Sequence, residues 1–328
     1  MPLSSESHFG VRPMTEAINK IPTTPTVIRS LGIFTPKPQT TTFVRVGEKN
    51  QTLNLVPHQP RGATGHGVDI EYNHIGNFDM LHLPKTDVIY ADDVQNVQAW
   101  QGSNNQAQTV AELVNDKLSA MKADIEYTRE HLMLGALQGK IVDADGRELV
   151  DLYKRFGLSR QNAAINHASN ANLTLEFERV KSALRSQKGA ESVSGWVCLC
   201  STSFFEKLIA HKSMLDIYLR YQGAKTLHDG FDGRFVTAGI EFVQYATAYE
   251  SGLKIEDNQA IFLPKGLKDA FAEYFAPANM SSTVNTKALP YYASREKLKH
   301  EAGFELYAQS NPLPLVKRPD LVWDLVMT

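Results

Sequence analysis

The sequence predicts an α+β fold in which helices and strands are mixed without regular alternation. Three observations predict it. A helical repeat of apolar residues runs without a proline from about Gln106 to Gln138. Short strand-like segments lie on both sides of it, which disfavours a doubly wound nucleotide-binding sheet. Hydrophobic residues make up 42% of the chain and charged residues 21%, which is typical of a packed protein and excludes wholesale disorder.

The N-terminal segment is predicted to be an extended arm. Prolines recur through residues 1–40 and large apolar residues are few, so most of this stretch cannot hold a long helix or a central strand. The exception is a short helix from Met14 to Lys20. The prolines are Pro2, Pro13, Pro22, Pro25, Pro36 and Pro38.

A long two-stranded excursion is predicted between the arm and the long helix. Strand-like residues from Thr41 to Val56 lead into turn-forming residues from Pro57 to Gly67, and a second extended stretch returns from Val68 to Leu83. This ribbon has too few apolar residues to bury itself, and an isolated two-stranded ribbon is only marginally stable in water. The ribbon therefore needs a neighbouring surface, which indicates a protein that assembles with other chains.

The strongest periodic pattern predicts one long helix from Gln106 to Gln138. Its apolar residues recur at three- and four-residue steps, after possible capping residues from Ser103 to Asn105. At 1.5 Å per residue the helix measures about 45 to 50 Å, which is longer than a typical globular helix. Its polar side chains are interpreted as a solvated surface. They are Glu112, Asp116, Lys117, Lys122, Asp124 and Arg129.

After the long helix, the pattern predicts a hairpin, two further helices and several strands. Asp145-Gly146 supplies the positive φ that a tight turn requires, so residues 141–150 are expected to form the hairpin. Helices are expected at Glu176–Gln187 and Phe204–Ala210, the second one capped by Ser201. Strands are expected at Trp196–Cys200, Arg234–Val236, Ile240–Ala246, Ala260–Leu263, Phe271–Phe275, Phe304–Gln309 and Leu321–Val326.

Charge, hydropathy and cysteine content exclude several classes of protein. The formal net charge of −2 offers no strong field for holding a polyanion, which disfavours sequence-specific DNA binding. No window approaches the roughly 18 apolar residues of a membrane span, and the first ten residues lack a leader pattern, so synthesis in the cytosol is expected. Cys198 and Cys200 would lie on one face of a buried strand, and free buried thiols are expected there.

No catalytic, cofactor-binding or metal-binding residue is predicted. Asp143-x-Asp145-Gly resembles the start of a calcium loop, but its twelfth position is Lys154. The glycines from Gly62 to Gly67 lack the strand-turn-helix frame of a phosphate loop. A catalytic triad assembled from scattered residues stays open. Four histidines eight residues apart would span too far along an extended chain to share one metal unless the ribbon folds back. They are His58, His66, His74 and His82.

Several stretches fit one known pattern. Leu53 to Pro57, followed by Pro60-Arg61-Gly62, is an apolar strand with an Arg-Gly turn. Residues 81–93 form a second stretch, and residues 141–156 combine a hairpin with an apolar-aromatic segment. In these features the chain resembles the lambda-type major capsid protein E family of tailed phages, in which the same strand and turn belong to an extended loop.

The C-terminal part of the resemblance is the most specific. Thr283 to Thr286, Leu289 to Ala293 and Gln309 to Pro314, through Arg318-Pro319, follow the family's order and spacing. The resemblance covers the chain from about residue 40 to residue 326, and the proline-rich arm is similar in character only.

The resemblance implies the Hong Kong 97-type phage major capsid fold, which has an N-terminal arm, an extended loop, a spine helix, a peripheral domain and an axial domain. The expected divisions are residues 1–37 for the arm, 38–92 for the extended loop, 93–194 for the peripheral domain with the spine helix at 106–138, 195–263 for the axial domain, and 264–328 for C-terminal strands that complete the core.

The resemblance also implies a function, that of a major capsid protein without catalytic chemistry. Such a subunit would self-assemble into hexamers and pentamers of an icosahedral shell that encloses the DNA genome. Its expected location is the virion, with the host cytoplasm during assembly. Expected partners are portal, scaffolding and decoration proteins, with non-specific proximity to packaged double-stranded DNA and no membrane.

The extended loop is expected to lie across a neighbouring subunit and to bury apolar side chains there. The residues expected at this inter-subunit contact are Phe43, Val44, Leu53, Leu55, Arg61, Gly62 and Phe78.

Two alternatives remain open from the sequence. One is an encapsulin-like compartment shell protein with the same fold, for which the C-terminal match to phage capsid proteins is the discriminating feature. The other is a small-molecule enzyme of α+β architecture, which a screen of the monomer for ligand-induced stabilisation would begin to test.

Overall fold

The computed structural model describes residues 10–23, 26–49, 72–94, 110–187, 193–215, 233–267 and 269–328. The α-helices include Val11–Lys20 (α1), Val27–Ser30 (α2), Ala91–Val94 (α3), Val110–Gln138 (α4), Leu152–Phe156 (α5), Leu173–Arg185 (α6) and Thr202–Ala210 (α7). The strands are Thr35–Pro38 (β1), Phe43–Lys49 (β2), Tyr72–Asp79 (β3), Leu83–Tyr90 (β4), Lys140–Val142 (β5), Glu148–Asp151 (β6), Gln161–Ile165 (β7), Gly195–Cys200 (β8), Arg234–Thr237 (β9), Ile240–Gln244 (β10), Gln259–Lys265 (β11), Phe271–Phe275 (β12), Tyr292–Lys297 (β13), Gly303–Ser310 (β14), Pro312–Val316 (β15) and Trp323–Met327 (β16).

This mixture of helices and strands confirms the predicted α+β class. The described part of the long helix is α4, whereas its predicted first residues, 106–109, and the predicted caps lie outside the described residues. Helix α6 begins three residues earlier than predicted because Asn172 caps it, accepting the Leu175 N–H at 3.4 Å. Helix α7 begins two residues earlier than predicted, and the predicted cap is confirmed, since Ser201 Oγ accepts the Phe204 N–H at 3.3 Å.

The chain divides into two compact units. Unit 1 comprises the described parts of Met1–Val44, Phe78–Leu132 and Ala272–Leu315. Unit 2 comprises those of Arg45–Asn77, Met133–Phe271 and Val316–Thr328. Each unit is therefore assembled from segments far apart in the sequence. The five-part division expected from the family stays a prediction.

Unit 1 holds two three-stranded sheets. In the first, β14 lies between β13 and β4, antiparallel to both. Apolar side chains of helices α1 and α4, of all three strands and of the residue before β13 form its core. They are Met14, Ile18, Ile89, Val114, Leu118, Met121, Ile125, Tyr291, Ala293, Leu306 and Ala308. The recurrence of the α4 members at three- and four-residue steps confirms the periodic pattern of the sequence.

The second sheet of unit 1 has the order β1-β12-β15, with β1 as an outer strand parallel to β12. Gln39 N–H donates to the Phe275 carbonyl at 2.9 Å, so odd-numbered residues of this segment direct their N–H groups towards β12. The two prolines of β1, Pro36 and Pro38, therefore occupy positions whose amide nitrogens face away from the sheet. Proline is tolerated there because it has no N–H to donate.

Unit 2 is built on a six-stranded mixed sheet with the order β7-β16-β11-β8-β10-β9. Its central strand β8 is parallel to β10 and antiparallel to β11, and all of its residues from Trp196 to Cys200 are buried. Helices α6 and α7 contribute apolar side chains such as Phe177 and Phe204 to the same core. A continuous apolar run is typical of a strand covered on both faces. Strands from residues 161–165 and 323–327 join the sheet, in addition to those within residues 195–265.

The predicted hairpin in unit 2 is confirmed as β5 and β6. Gly146 adopts a φ of +83° at its turn, which is the positive φ predicted from the Asp145-Gly146 sequence. Nearby, Gly135 in α4 is required to be small, because a Cβ there would approach the Lys140 carbonyl oxygen to 2.7 Å. In the described part of the chain, no helix combines the length and apolar character that a membrane span needs.

Candidate functional site

Three of the predicted contact residues lie on a two-stranded ribbon formed by β2 and β3, which pair with each other and with no third described strand. Phe43 and Val44 lie on β2 and Phe78 lies on β3. Val44 is 7% exposed and Phe78 only 2% exposed, whereas Phe43 is half-buried. The predicted residues Leu53, Leu55, Arg61 and Gly62 lie outside the described residues.

The base of this ribbon is sheltered by its own chain. Val44 and Val46 are buried on one side of β2, and Arg45 between them is exposed, as expected for a strand with one covered face. The expectation that the whole ribbon is too poor in apolar residues to bury itself is therefore wrong at its base. Val44 and Phe78 are already buried within their own chain, so little of either side chain is free for a neighbouring subunit. An inter-subunit contact through them stays a prediction.

A second candidate feature is the attachment of the N-terminal arm to the long helix, within unit 1. Four charged residues of α4 spaced along one helix face, Lys122, Glu126, Arg129 and Glu130, contact the arm or the strands beside it. They are named the arm clamp here. The interpretation of the charged face of α4 as solvated surface is wrong for Lys122 and Arg129, which are 4% and 3% exposed.

At one end of the arm clamp, Lys122 meets the C-terminus of α1. Its Nζ donates to the carbonyl oxygens of Ile18 and Ile21 at 2.9 and 2.7 Å. These carbonyls have no partner within their helix, and a cation at this end also favours the helix dipole. Burial lowers the pKa of the Lys122 ammonium against the attraction of Glu126.

At the other end, Glu130 meets the N-terminus of α2. One carboxylate oxygen accepts the Ile28 N–H at 2.7 Å, and the other accepts the hydroxyl of Thr26, the residue that precedes the helix. An anion is favoured at this end of a helix. Burial raises the pKa of Glu130, and its hydrogen bonds from Thr26 and Ile28 only partly offset that effect.

The centre of the arm clamp is a buried ionic network. Arg129 donates two parallel bonds to Glu273 on β12, at 2.8 and 2.7 Å, which is the strongest geometry for this pair. Glu126 accepts from Arg29 of the arm and from the Tyr291 hydroxyl. Burial opposes ionisation of Glu126, but the charge of Arg129 and these hydrogen bonds outweigh burial and lower its pKa.

Apolar contacts and backbone bonds complete the attachment. Met14 and Ile18 of α1 are buried against α4 and β13. Thr15 Oγ1 donates to the Ala293 carbonyl at 3.3 Å and accepts the Ala293 N–H at 3.2 Å. The arm clamp therefore matches a cation to the C-terminus of one arm helix and an anion to the N-terminus of the next, which fixes the direction in which the arm crosses α4.

The described residues contain no group of three or more histidine, cysteine, aspartate or glutamate side chains that could hold a metal ion. Cys198 and Cys200 are fully buried free thiols with their sulfur atoms 3.6 Å apart. Burial raises the pKa of Cys200 well above its ordinary value, so a reactive thiolate is not favoured there.

Comparison with known proteins gives one family. The sequence model of the phage major capsid protein E family matches residues 10–327. The chain is similar to the major capsid protein of Salmonella phage Felix O1 (isolate Felix O1-VT1), with 25% identity over 362 residues that cover 98% of this chain and 97% of the relative. It is similar to the major capsid protein of Pseudomonas phage KPP10, with 25% identity over 343 residues and 97% coverage of both chains.

A solved structure shares the fold. The crystal structure of a candidate capsid protein from a prophage of E. coli CFT073 is 10% identical in sequence, with a TM-score of 0.56 over 95% of this chain and 97% of that chain. At this identity the likeness concerns the fold alone.

Proposed function

The chain belongs to the phage major capsid protein E family, and we propose that it builds the phage head as hexamers and pentamers of an icosahedral shell around the DNA genome. Membership of the family establishes that the chain is a structural capsid protein of a tailed phage and a component of the virion. The observation that carries it is the extent of the family match, which includes both compact units and the arm from residue 10 onwards.

The ribbon supports the proposed mode of assembly. Among the described residues no third strand pairs with this ribbon, and an isolated two-stranded ribbon is marginal without further contacts. We propose that residues 50–71, including Leu53, Leu55, Arg61 and Gly62, lie across a neighbouring subunit. Many copies of a modest contact stabilise a closed symmetric shell collectively.

The alternatives proposed from the sequence are less well supported. An encapsulin-like shell protein is disfavoured because the family and both curated relatives are phage capsid proteins. For the small-molecule enzyme, we propose no catalytic residue and no cofactor. Portal, scaffolding and decoration proteins remain proposed partners, as does assembly in the host cytoplasm. Contact with packaged DNA would be non-specific, consistent with a net charge of −2.

Electron microscopy of the protein expressed alone tests the proposal. Wild-type chains are expected to form icosahedral particles or sheets of capsomers. Replacing residues 50–71 by a short Gly-Ser linker keeps the buried base at Val44, Val46 and Phe78, and should give folded subunits that form no shells. Circular dichroism checks the folding of this variant. Normal shells from the shortened chain would contradict the assignment of the ribbon.

A further inference from the structure

The loop between β12 and β13, residues 276–291 in unit 1, is held rigidly by its own hydrogen bonds. The buried Thr283 hydroxyl lies 2.8 Å from the Ala278 carbonyl oxygen and 2.9 Å from the Met280 carbonyl oxygen, and its one proton can be donated to either or shared between them. Thr286 Oγ1 donates to the Thr283 carbonyl at 2.7 Å. At the far end, Leu289 N–H donates to the Tyr292 hydroxyl at 2.8 Å. The conformation of this loop is therefore fixed in the single chain.

This rigid loop presents apolar side chains to solvent. Val284 is 63% exposed, the highest value among the large hydrophobic residues of the described chain, and Leu289 is also exposed. Lys287 lies between them and is the only charged residue from Pro277 to Pro290. A preorganised loop loses little conformational entropy when it binds. The loop thus offers two apolar side chains flanking one cation.

A surface cavity elsewhere in unit 1 has the complementary chemistry. Its volume is about 390 Å³, and Pro22, Thr23, Ser119, Ala123 and Tyr127 are among its lining residues. This volume exceeds the ~150 Å³ that accommodates a benzene-sized group. The Tyr127 ring is half-exposed at the cavity.

An exposed carboxylate follows the lining residue Ala123 on α4. Asp124 forms a solvated pair with Lys85 at 2.8 Å, so a lysine of a partner would join or replace Lys85 there. The cavity combines the apolar surfaces of Pro22, Ala123 and Tyr127 with the polar side chains of Thr23, Thr26, Ser119 and Glu126. Apolar surface next to an exposed carboxylate suits a partner that carries aliphatic side chains and one lysine.

We propose that the β12–β13 loop of one copy docks into this cavity on a second copy of the chain. Val284 and Leu289 would contact Ala123 and Tyr127, and Lys287 would face Asp124. The partner is a second copy because each chain carries both complementary surfaces, so one contact repeats throughout a closed assembly. This inference rests on the proposed shell-forming function and names a contact outside the ribbon.

Cross-linking tests the location of the contact. The native Cys198 and Cys200 are fully buried, so cysteines introduced at the surface react selectively. Shells made from Val284→Cys/Ala123→Cys chains and treated with a short bis-maleimide should lose the monomer band in a denaturing gel and give a ladder of linked chains. The matched control is Val236→Cys/Ala123→Cys, because Val236 is also an exposed valine, and it should stay monomeric.

The contact would be overturned if both cysteine pairs cross-linked to the same extent. It would also be overturned if intact shells of the Val284→Cys/Ala123→Cys chain gave no cross-linking. The proposed function would survive that result, since wild-type shells would still form. Absence of wild-type particles would instead count against the function itself.

Charge reversal tests the ion pair. Lys287→Glu and Asp124→Lys should each reduce the yield of shells by light scattering and microscopy, since each places like charges together across the contact. The double variant Lys287→Glu/Asp124→Lys should restore the yield. A double variant no better than the worse single variant would overturn the pairing of these two residues.

Discussion

The two compact units bury very different chemistry. Unit 2 is held by a dense apolar and aromatic core around β8, in which Phe242 packs edge-to-face on Phe177 with ring centroids 4.9 Å apart. Unit 1 has an apolar core as well, but beside it the arm clamp buries two carboxylates, a lysine and the Arg129–Glu273 pair. The arm is thus attached partly by charges matched to helix ends, whereas the six-stranded sheet relies on apolar packing.

This difference predicts different sensitivities to substitution. Apolar burial is non-directional and tolerates changes of similar volume. A buried charge depends on its specific partner, and its removal leaves the other charge uncompensated. The loss in free energy of unfolding should therefore scale with the volume removed for core substitutions in unit 2. For substitutions in the arm clamp, the loss should depend on which charged partner remains.

The largest effect is expected in unit 2 for Phe242→Ala. This side chain is fully buried between Phe177 and Phe235, and its truncation should lower the free energy of unfolding by about 4 kcal/mol. Urea denaturation of unassembled subunits measures it. Leu175→Ala, at an exposed position of α6, is the control and should change the free energy by less than ~0.5 kcal/mol. A loss of similar size in both variants would contradict the packing described for unit 2.

A somewhat smaller effect is expected in unit 1 for Arg129→Met, because Glu273 would remain buried without its cation. The free energy of unfolding should fall by about 3 kcal/mol. Adding Glu273→Leu removes the stranded carboxylate and should recover about 2 kcal/mol of that loss. Denaturation of the single and double variants gives the coupling energy.

The control for this cycle is an exposed arginine pair. Arg179 contacts Glu176 on the surface of α6, and Arg179→Met should cost less than ~1 kcal/mol. If the double variant were as unstable as the sum of its single changes, the Arg129–Glu273 pair would not be coupled, and the contrast between the units would disappear.

The smallest effect is a difference in pH dependence between Glu130→Gln and Glu126→Gln. Burial raises the pKa of Glu130, so its contribution to stability is present at acid pH and is lost as pH rises through the folded-state pKa. The pKa of Glu126 is lowered, so its contribution is present above the unfolded-state pKa and is lost as pH falls.

Unfolding free energies measured from about pH 2 to about pH 8, a range that extends below the ordinary glutamate pKa, should show these opposite slopes. The stability advantage of wild type over Glu130→Gln should shrink as pH rises, and its advantage over Glu126→Gln should grow. Parallel curves for the two variants would show that the environments of these carboxylates are alike, contrary to the hydrogen bonding described.

The buried charges were missed in the sequence for an identifiable reason. Lys122 and Arg129 are ionic residues on an amphipathic helix, and such residues usually face water. Lys122 is buried against backbone carbonyls of the arm about a hundred residues away, and Arg129 is buried against the Glu273 carboxylate, 144 residues away. No local pattern reports either partner. One sequence feature did indicate buried charges. It was the spacing along one helical face, beside apolar positions, of Lys122, Glu126, Arg129 and Glu130.

Strands with strong local patterns could be predicted, whereas the polar strands β7 and β13 and the proline-containing outer strands β1 and β15 could not. The predicted bounds of β12 are confirmed, and those of β8 differ by one residue, because β8 is a continuous apolar run and β12 is apolar except for Glu273. Strands β1 and β15 were not predicted, since Pro36, Pro38, Pro312 and Pro314 argue against a central strand. Both are outer strands of their sheet, where the missing N–H is tolerated.

The candidate contact surfaces also differ in how far the sequence predicts them. The sequence identified the ribbon from turn residues and sparse apolar positions, but it could not show that Val44 and Phe78 are covered by their own chain. The β12–β13 loop was noticed only through its family resemblance, because no periodic pattern in the sequence reports the exposure of Val284.

The proline-bearing outer strand β1 has a consequence for a protein that must be made in many identical copies at high local concentration. An unprotected strand edge would recruit further chains by backbone pairing and grow into open-ended aggregates. Because Pro36 and Pro38 occupy the outward positions, the edge of β1 offers carbonyl oxygens but no N–H donors. A strand of another chain could therefore form only half of the usual backbone hydrogen bonds there. This edge therefore disfavours extension of the sheet by a further chain.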